Sequence, residues 1–384
     1  MSDLTAALPI LEKLIAFDTT SRNSNLECIE WIETILAGTN ATCRRVPNAD
    51  GTKTNLFATI GPDSEGGIIL SGHSDVVPVD GQAWSSDPWH LTSRGDRLFG
   101  RGTCDMKGFL ALALANAPRF AAAARPVHLA ISYDEEVGCQ GAPAMIAQMA
   151  GTIKRPQAAI IGEPSMMRII DAHKGIAVHE VRVTGHEAHS SLTHLGISAN
   201  TVAVELMAFL TQLAKELEQT AASDNGFEPS FPTLTIGTME GGTAANILAG
   251  RASFVFDLRC PPGYSPDEIL RPFHRLCETT DAELKSRFAG CGIEMVRQSD
   301  APPLTPHGNE AAVALVRKLT GENGPAQKVA YAAEAGQFSN AGFPTVICGP
   351  GSIEQAHQPD EFIALDQLEQ GQRFMDRLAQ ELAE

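Results

Sequence analysis

Short apolar runs alternating with helical stretches set the strongest limit on how this chain can fold. "NLFATIG", "GGIILSGHSD", "RPVHLAISYDEE" and "QAAIIGEPS" follow one another between Asn55 and Ser165, with the helical "DMKGFLALALANAPRFAAA" and "GAPAMIAQMA" among them. Such runs, bounded by Gly and Pro, read as buried strands. Strands that alternate with helices argue for an α/β fold, with a mainly parallel central sheet flanked by helices. Residues 4–17 and 25–37 read as helices ahead of this series. From about residue 300 the same style returns: "NEAAVALVRKLTG" is helical, "KVAYAAEAG" and "FPTVICGPG" flank a turn, and "DQLEQGQRFMDRLAQELAE" closes the chain as a helix.

The pattern is interrupted near residue 176. "IAVHEVRVTG" alternates, "SANTVAVELMAFLTQLAKELEQ" is a long helix, and "FPTLTIGTMEGG" and "RASFVFDLRCP" are strands. "SPDEILRPFHRLCETTDAELKSRF" is helical despite Pro272. This β-α-β-β-α order, closed by a further strand at "GIEMVRQSD", fits an α+β ferredoxin-like layer. The expected plan is one domain of residues 1–175 plus 291–384, interrupted by an inserted domain of residues 176–290. A length of 384 residues suits two domains, and 43% hydrophobic residues can supply a core for each.

Charge and motif content exclude several classes. A net charge of −17 repels nucleic acid and anionic membrane, and no Lys/Arg block reverses it locally. "MSDLTAALPILEKLIAF" reads as an amphipathic helix rather than a signal peptide. No apolar run reaches the roughly 18 residues of a membrane span. The eight cysteines contain no C-x-x-C, which suits buried thiols in a reducing compartment, so a cytoplasmic protein is expected. "GRGTCDMKG" lacks the spacing of a phosphate loop, and there is no G-x-S-x-G nucleophile elbow.

Ligands in open α/β sheets bind at the carboxyl ends of strands, and acids and histidines collect there. His73 and Asp75 follow "GGIILSG", Asp105 follows "LFGRGTC", Glu135 and Glu136 follow "VHLAISYD", Glu163 follows "QAAIIG", and His357 lies in "GPGSIEQAHQPDEF". Adjacent acids at the end of a buried strand repel one another. Imidazoles and carboxylates suit zinc and related ions, and this set is large enough for two. Two dications would turn the repulsive cluster into ligands. Glu135 and Glu136 are neighbours whose side chains diverge, so one should bind metal while the other takes a proton from the attacking water. Asp75 can hold the second ring nitrogen of His73. Asp134 reads as a turn or support residue.

"SGHSDVVPVDGQAW", "GRGTCDMKG", "DEEVGCQG", "GEPS" and "AHQPDE", in that order over nearly the whole chain, resemble the dinuclear-zinc aminoacylase and carboxypeptidase family. That family includes acetylornithine deacetylases, succinyl-diaminopimelate desuccinylases and glutamate carboxypeptidases. The resemblance implies that His73 and Glu163 bind one zinc, that Glu136 and His357 bind the other, and that Asp105 bridges them. It implies Glu135 as general base and Asp75 as partner of His73; cobalt suits the same ligands. It further implies a homodimer formed through the inserted domain, which also carries a lid. "GHEAHSS" resembles the segment whose histidine, here His189 rather than His186 or His194, reaches the substrate oxyanion. "GGTAANI" and "FDLRCPPG" resemble substrate-contacting segments, which implies Asn246 as a polar contact and Arg259 for the α-carboxylate of the substrate.

"YAAEAGQF" and "GPGSIEQAHQPDEF" are most similar to the acetylornithine deacetylase branch, and "NILAG" lacks the Pro frequent in desuccinylases. The implied reaction is hydrolysis of an N-acyl amino acid, Nα-acetyl-L-ornithine to ornithine and acetate, as in arginine biosynthesis. Glu334 in "YAAEAG" stands where a cationic substrate side chain could be met, and the sequence leaves its role open. The rivals are desuccinylase, carboxypeptidase or dipeptidase action, a non-catalytic metal- or ligand-binding protein, and a structural or interaction protein.

Overall fold

The computed structural model describes residues 3–219 and 225–384. They divide into two compact units. The larger contains the chain up to His173, Leu304–Lys328 and Ala333–Glu384; the inserted unit contains Lys174–Pro303 and Val329–Ala332.

The larger unit opens with α1 (Ala7–Ile15) and α2 (Leu26–Leu36), then β1 (Thr42–Pro47), β2 (Thr54–Ile60), β3 (Ile68–His73), β4 (Thr92–Arg94) and β5 (Arg97–Phe99). It continues through α3 (Gly108–Ala115), α4 (Ala117–Phe120), β6 (Val127–Ser132), α5 (Ala142–Ala150), β7 (Ala158–Pro164) and β8 (Ile170–His173). The inserted unit follows with β9 (Gly175–Thr184), α6 (Ala199–Gln219), β10 (Thr233–Gly241), β11 (Arg251–Cys260), α7 (Pro266–Arg287) and β12 (Gly292–Ala301). The return is α8 (Glu310–Thr320), β13 (Gln327–Val329), α9 (Ala335–Asn340), β14 (Thr345–Gly349), β15 (Phe362–Ala364) and α10 (Leu365–Ala383).

Eight strands form the main sheet in the order β1-β2-β6-β3-β7-β14-β8-β13. Its centre is parallel, with β6, β3, β7 and β14 running side by side. The flanking pairs β1–β2, β2–β6 and β14–β8 are antiparallel. Every residue of β3, β6, β7 and β14 is buried, which is why these runs read as uninterrupted apolar segments: helices cover both faces of a parallel sheet. The sequence of α3, "GFLALALA", is apolar on all sides, and all of it except its last residue is buried. Its Phe109 lies so close to β7 that a Cβ on Gly162 would fall 2.1 Å from the ring.

Two stretches differ from expectation. The single helix expected over 105–123 is divided. Thr103–Lys107 forms a separate irregular turn, α3 starts at Gly108, and α4 restarts at Ala117 with Pro118 in its first turn, where no N–H is needed. "KVAYAAEAG" contributes little strand: β13 ends at Val329, and Glu334 caps α9.

In the inserted unit the strands are ordered β10-β11-β9-β12 and all pairs are antiparallel, the ferredoxin-like arrangement. Burial along β11 alternates strictly, and Ala252, Phe254, Phe256, Leu258 and Cys260 join Leu206, Leu210, Leu270 and Phe273 of the two helices in one core. Because β12 pairs along β9, the insertion extends to Pro303, past the expected boundary at 290. At its other end it starts at Lys174. The flanking residues of the larger unit meet, with the His173 N–H donating to the Leu304 carbonyl at 3.3 Å.

Candidate metal centre and active site

The four parallel strands deliver their carboxyl ends to one side of the main sheet. β3 ends on His73, with Asp75 just beyond; Asp134, Glu135 and Glu136 follow β6; Glu163 lies near the end of β7; His357 sits in the loop after β14. Asp105 comes from the irregular turn before α3. Its two oxygens face different histidines: Oδ1 is 3.0 Å from His73 Nε2, and Oδ2 is 3.4 Å from His357 Nε2. On the first side Glu163 Oε1 lies 3.7 Å from His73 Nε2. On the second, Glu136 Oε2 lies 2.9 Å from His357 Nε2. His73, Glu135 and Glu163 offer ligand atoms within 4.8 Å of one another, as do His73, Asp105 and Glu136.

Asp75 does its work differently from expectation. His73 Nδ1 lies 2.9 Å from the backbone carbonyl of Asp75 and 3.6 Å from its carboxylate, so the main chain is the closer partner of the ring. The carboxylate instead accepts from Ser21 Oγ at 2.7 Å and from the N–H groups of Glu135 and Glu136 at 3.2 Å each. Asp75 thereby pins the acidic loop to the end of β3. Asp134, in left-handed backbone at φ 54°, pairs with Lys53 Nζ at 2.6 Å. Glu135 Oε1 accepts from the buried Cys139 thiol at 3.2 Å.

The electrostatics fit a cation. Burial pushes the carboxyls of Glu135, Glu136 and Glu163 upward; Glu136 adds to the rise at Glu135, and Asp105 adds to it at the other two. His357 is pushed up to about 10 by its bonds to Asp105 and Glu136. Burial alone would lower His73, but the Asp105 bond and the Glu163 charge carry it well above the usual imidazole range. Glu136 Oε1 and Glu163 Oε1 are buried with no hydrogen-bond partner among the described residues. A buried carboxylate oxygen without a donor is costly. A divalent ion on each side of Asp105 would satisfy these oxygens and neutralise the cluster, so the donor set fits zinc or a similar ion.

Glu334, at the start of α9, is as buried as His73. It is 1% exposed, beside Ser71 and Ser132 of the sheet, and burial raises its carboxyl to about 7. The acid lies within electrostatic reach of Glu135.

His189, Asn246 and Arg259 belong to the inserted unit. The His189 segment bridges to Ile247, and the Ser190 N–H donates to the Asn246 carbonyl, so two of the three expected substrate-contacting segments are neighbours. His189 is exposed, with Nδ1 2.8 Å from Ser191 Oγ. His186 is stacked on Phe288 with ring centroids 4.0 Å apart. Arg259 pairs with Asp257 on its own strand at 3.2 Å.

Residues 69–381 match the profile of peptidase family M20/M25/M40. The chain belongs to that family. It is 37% identical to the acetylornithine deacetylase of Proteus mirabilis over 91% of this chain and 87% of that one. It is 33% identical to the acetylornithine deacetylase of Pasteurella multocida over 98% of both. In fold it is similar to an M20 family metallo-carboxypeptidase from Sulfolobus solfataricus, at TM-score 0.75 and 18% identity over 98% of this chain and 99% of that one. This M20 hydrolase therefore shares the α/β architecture of its family. No helix among its described residues is long and apolar enough to cross a membrane.

Sequence reasoning missed the support around the cluster. Glu361, Arg101 and Gln82 were visible inside quoted segments, but hydrogen bonds from side chains to backbone leave no spacing or periodicity that would single them out.

Proposed function

We propose that this M20 hydrolase deacylates an N-acyl amino acid, and that its substrate is Nα-acetyl-L-ornithine. The observation that carries the chemistry is the Asp105 carboxylate, which turns one oxygen to His73 and the other to His357. His73 and Glu163 would hold one ion, Glu136 and His357 the other, and Asp105 both. Two zinc ions suit these ligands, and cobalt could replace them. When bound, such ions activate a water and polarise the amide carbonyl.

Glu135 is not needed as a ligand in this arrangement and acts as the base. It takes a proton from the attacking water and returns it to the departing amine. Asp75 holds the Glu135 and Glu136 backbone in place. His189 donates to the developing oxyanion. Asn246 supplies a polar contact, and Arg259 pairs the substrate carboxylate through its planar fork. The identities to acetylornithine deacetylases support the substrate, which would place the reaction in arginine biosynthesis. Eight unpaired cysteines support a reducing, cytoplasmic setting. A homodimer through the inserted unit is supported by β10, an edge strand of its sheet that is largely exposed and carries Met239 at 64% exposure.

The test is amine release from Nα-acetylornithine and from N-succinyl-diaminopimelate with zinc-loaded protein, with Glu135→Gln as control. Glutamate-dependent cleavage of the first alone is expected. Cleavage of the second alone would replace the substrate, and cleavage of neither would sink this reading.

A further inference from the structure

Glu361 is 1% exposed, yet its carboxylate accepts four hydrogen bonds. Oε2 accepts from Arg101 Nη1 at 2.7 Å and from the Gly102 N–H at 2.9 Å. Oε1 accepts from the N–H groups of Cys104 at 2.8 Å and Asp105 at 3.0 Å. Three of the four donors are backbone groups of the segment that carries Asp105. Arg101, also 1% exposed, continues outward: Nη2 donates to Gln82 Oε1 at 2.6 Å, and its guanidinium lies 5.0 Å from the Trp84 ring. Trp84 Nε1 donates to the same Gln82 oxygen at 3.0 Å. Gln82 Nε2 in turn donates to the backbone carbonyl of His357 at 2.9 Å. His357 has φ 64°, a left-handed conformation that a non-glycine residue keeps only when its surroundings hold it.

We infer that Glu361, Arg101 and Gln82 form one positioning cluster, in which Glu361 sets the backbone of Asp105 and Gln82 sets the loop of His357 for metal binding. The inference rests on the metal-centre reading above. None of the three side chains reaches the ligand atoms, so they act through Asp105 and His357. They also act on different parts. Asp105 faces both histidines, whereas His357 serves one side.

The test is a cobalt(II) titration of metal-free protein, followed by visible absorbance and by equilibrium dialysis with metal analysis. Circular dichroism checks the fold. Wild-type protein is expected to take up two equivalents. Gln82→Ala changes a half-buried side chain outside the buried ion pair. It is expected to weaken one equivalent by roughly 10- to 100-fold, the usual effect of losing a partner that orients a ligand, and to spare the other. Glu361→Gln turns an amide NH2 against backbone N–H donors. It is expected to weaken both equivalents and to change the absorbance of the bound cobalt. Folded variants with two equivalents at wild-type affinity and an unchanged spectrum would overturn the inference. If Glu361→Gln misfolds, Gln82→Ala decides alone: loss confined to one equivalent supports the cluster, and two unchanged equivalents reject it. Wild-type protein that takes up no cobalt would instead sink the metal-centre reading, and this inference with it.

Discussion

At the residue scale, adjacent acids are made compatible by giving each a separate partner. Asp134 turns to Lys53, Glu136 to His357, and Glu135 to the Cys139 thiol. The substitution Glu135→Gln keeps the shape and removes the base. We expect it to lower kcat by roughly 100- to 10,000-fold with the metal content unchanged, measured by turnover alongside metal analysis. A packing constraint acts nearby at Gly162, where an added Cβ would meet the Phe109 ring at 2.1 Å. Gly162→Ala should cost about 1–3 kcal/mol in urea denaturation, because neither the β7 backbone nor the buried ring has room to withdraw. His73, Glu135, Glu136 and Glu163 stand out in the sequence because each lies at or just past the end of an apolar run, whereas Asp105 and His357 lie in polar, Gly-rich segments that only the quoted motifs single out. Asp75 was legible in place but not in manner: the carbonyl that holds His73 looks the same at every position in a sequence.

At the element scale, the parallel centre could be read from uninterrupted apolar runs, while the antiparallel edges could not. β1, with its charged "TCRRVP", and the very short β4, β5, β13 and β15 carry no strong pattern; pairing with neighbours makes them strands. The pairing of β2 with β6 gives a pH prediction. His128 of β6 is 2% exposed, with Nδ1 3.0 Å from Thr59 Oγ1, and burial lowers it to about 4. The unfolded chain takes up that proton near pH 6.5, so between 6.5 and 4 it binds more protons than the native state. Stability from this group is complete above about pH 6.5 and falls as pH drops toward 4, by on the order of 3 kcal/mol in total. Urea denaturation across that range should show a shallower pH dependence in His128→Gln than in wild type. Parallel pH profiles would mean that His128 is charged in the native protein.

At the scale of the whole molecule, the described residues form two hydrophobic cores, and every expected metal ligand belongs to the unit with the larger one. Scanning calorimetry should therefore distinguish them. Removing metal with a chelator should lower the transition of the larger unit, by about 2.7 kcal/mol of stability if the ion had been present at a hundred times its Kd. Leu206→Ala, in the core of the inserted unit, should lower the other transition by roughly 2–5 kcal/mol. A chelator that shifts both transitions equally would contradict this separation.

The position of β14 has a consequence for how the molecule is made. It lies between β7 and β8 in the main sheet, although the ribosome reaches it only after completing the whole insertion. The inserted sheet draws its strands from one continuous stretch and can close while translation continues, as domains commonly do. The main sheet must wait with an open seam. His357, and Glu361 that holds the Asp105 backbone, emerge later still. A ribosome that stalls before Thr345 thus carries a finished insertion, a sheet missing a central strand and, without His357, only one of the two expected sets of ion ligands.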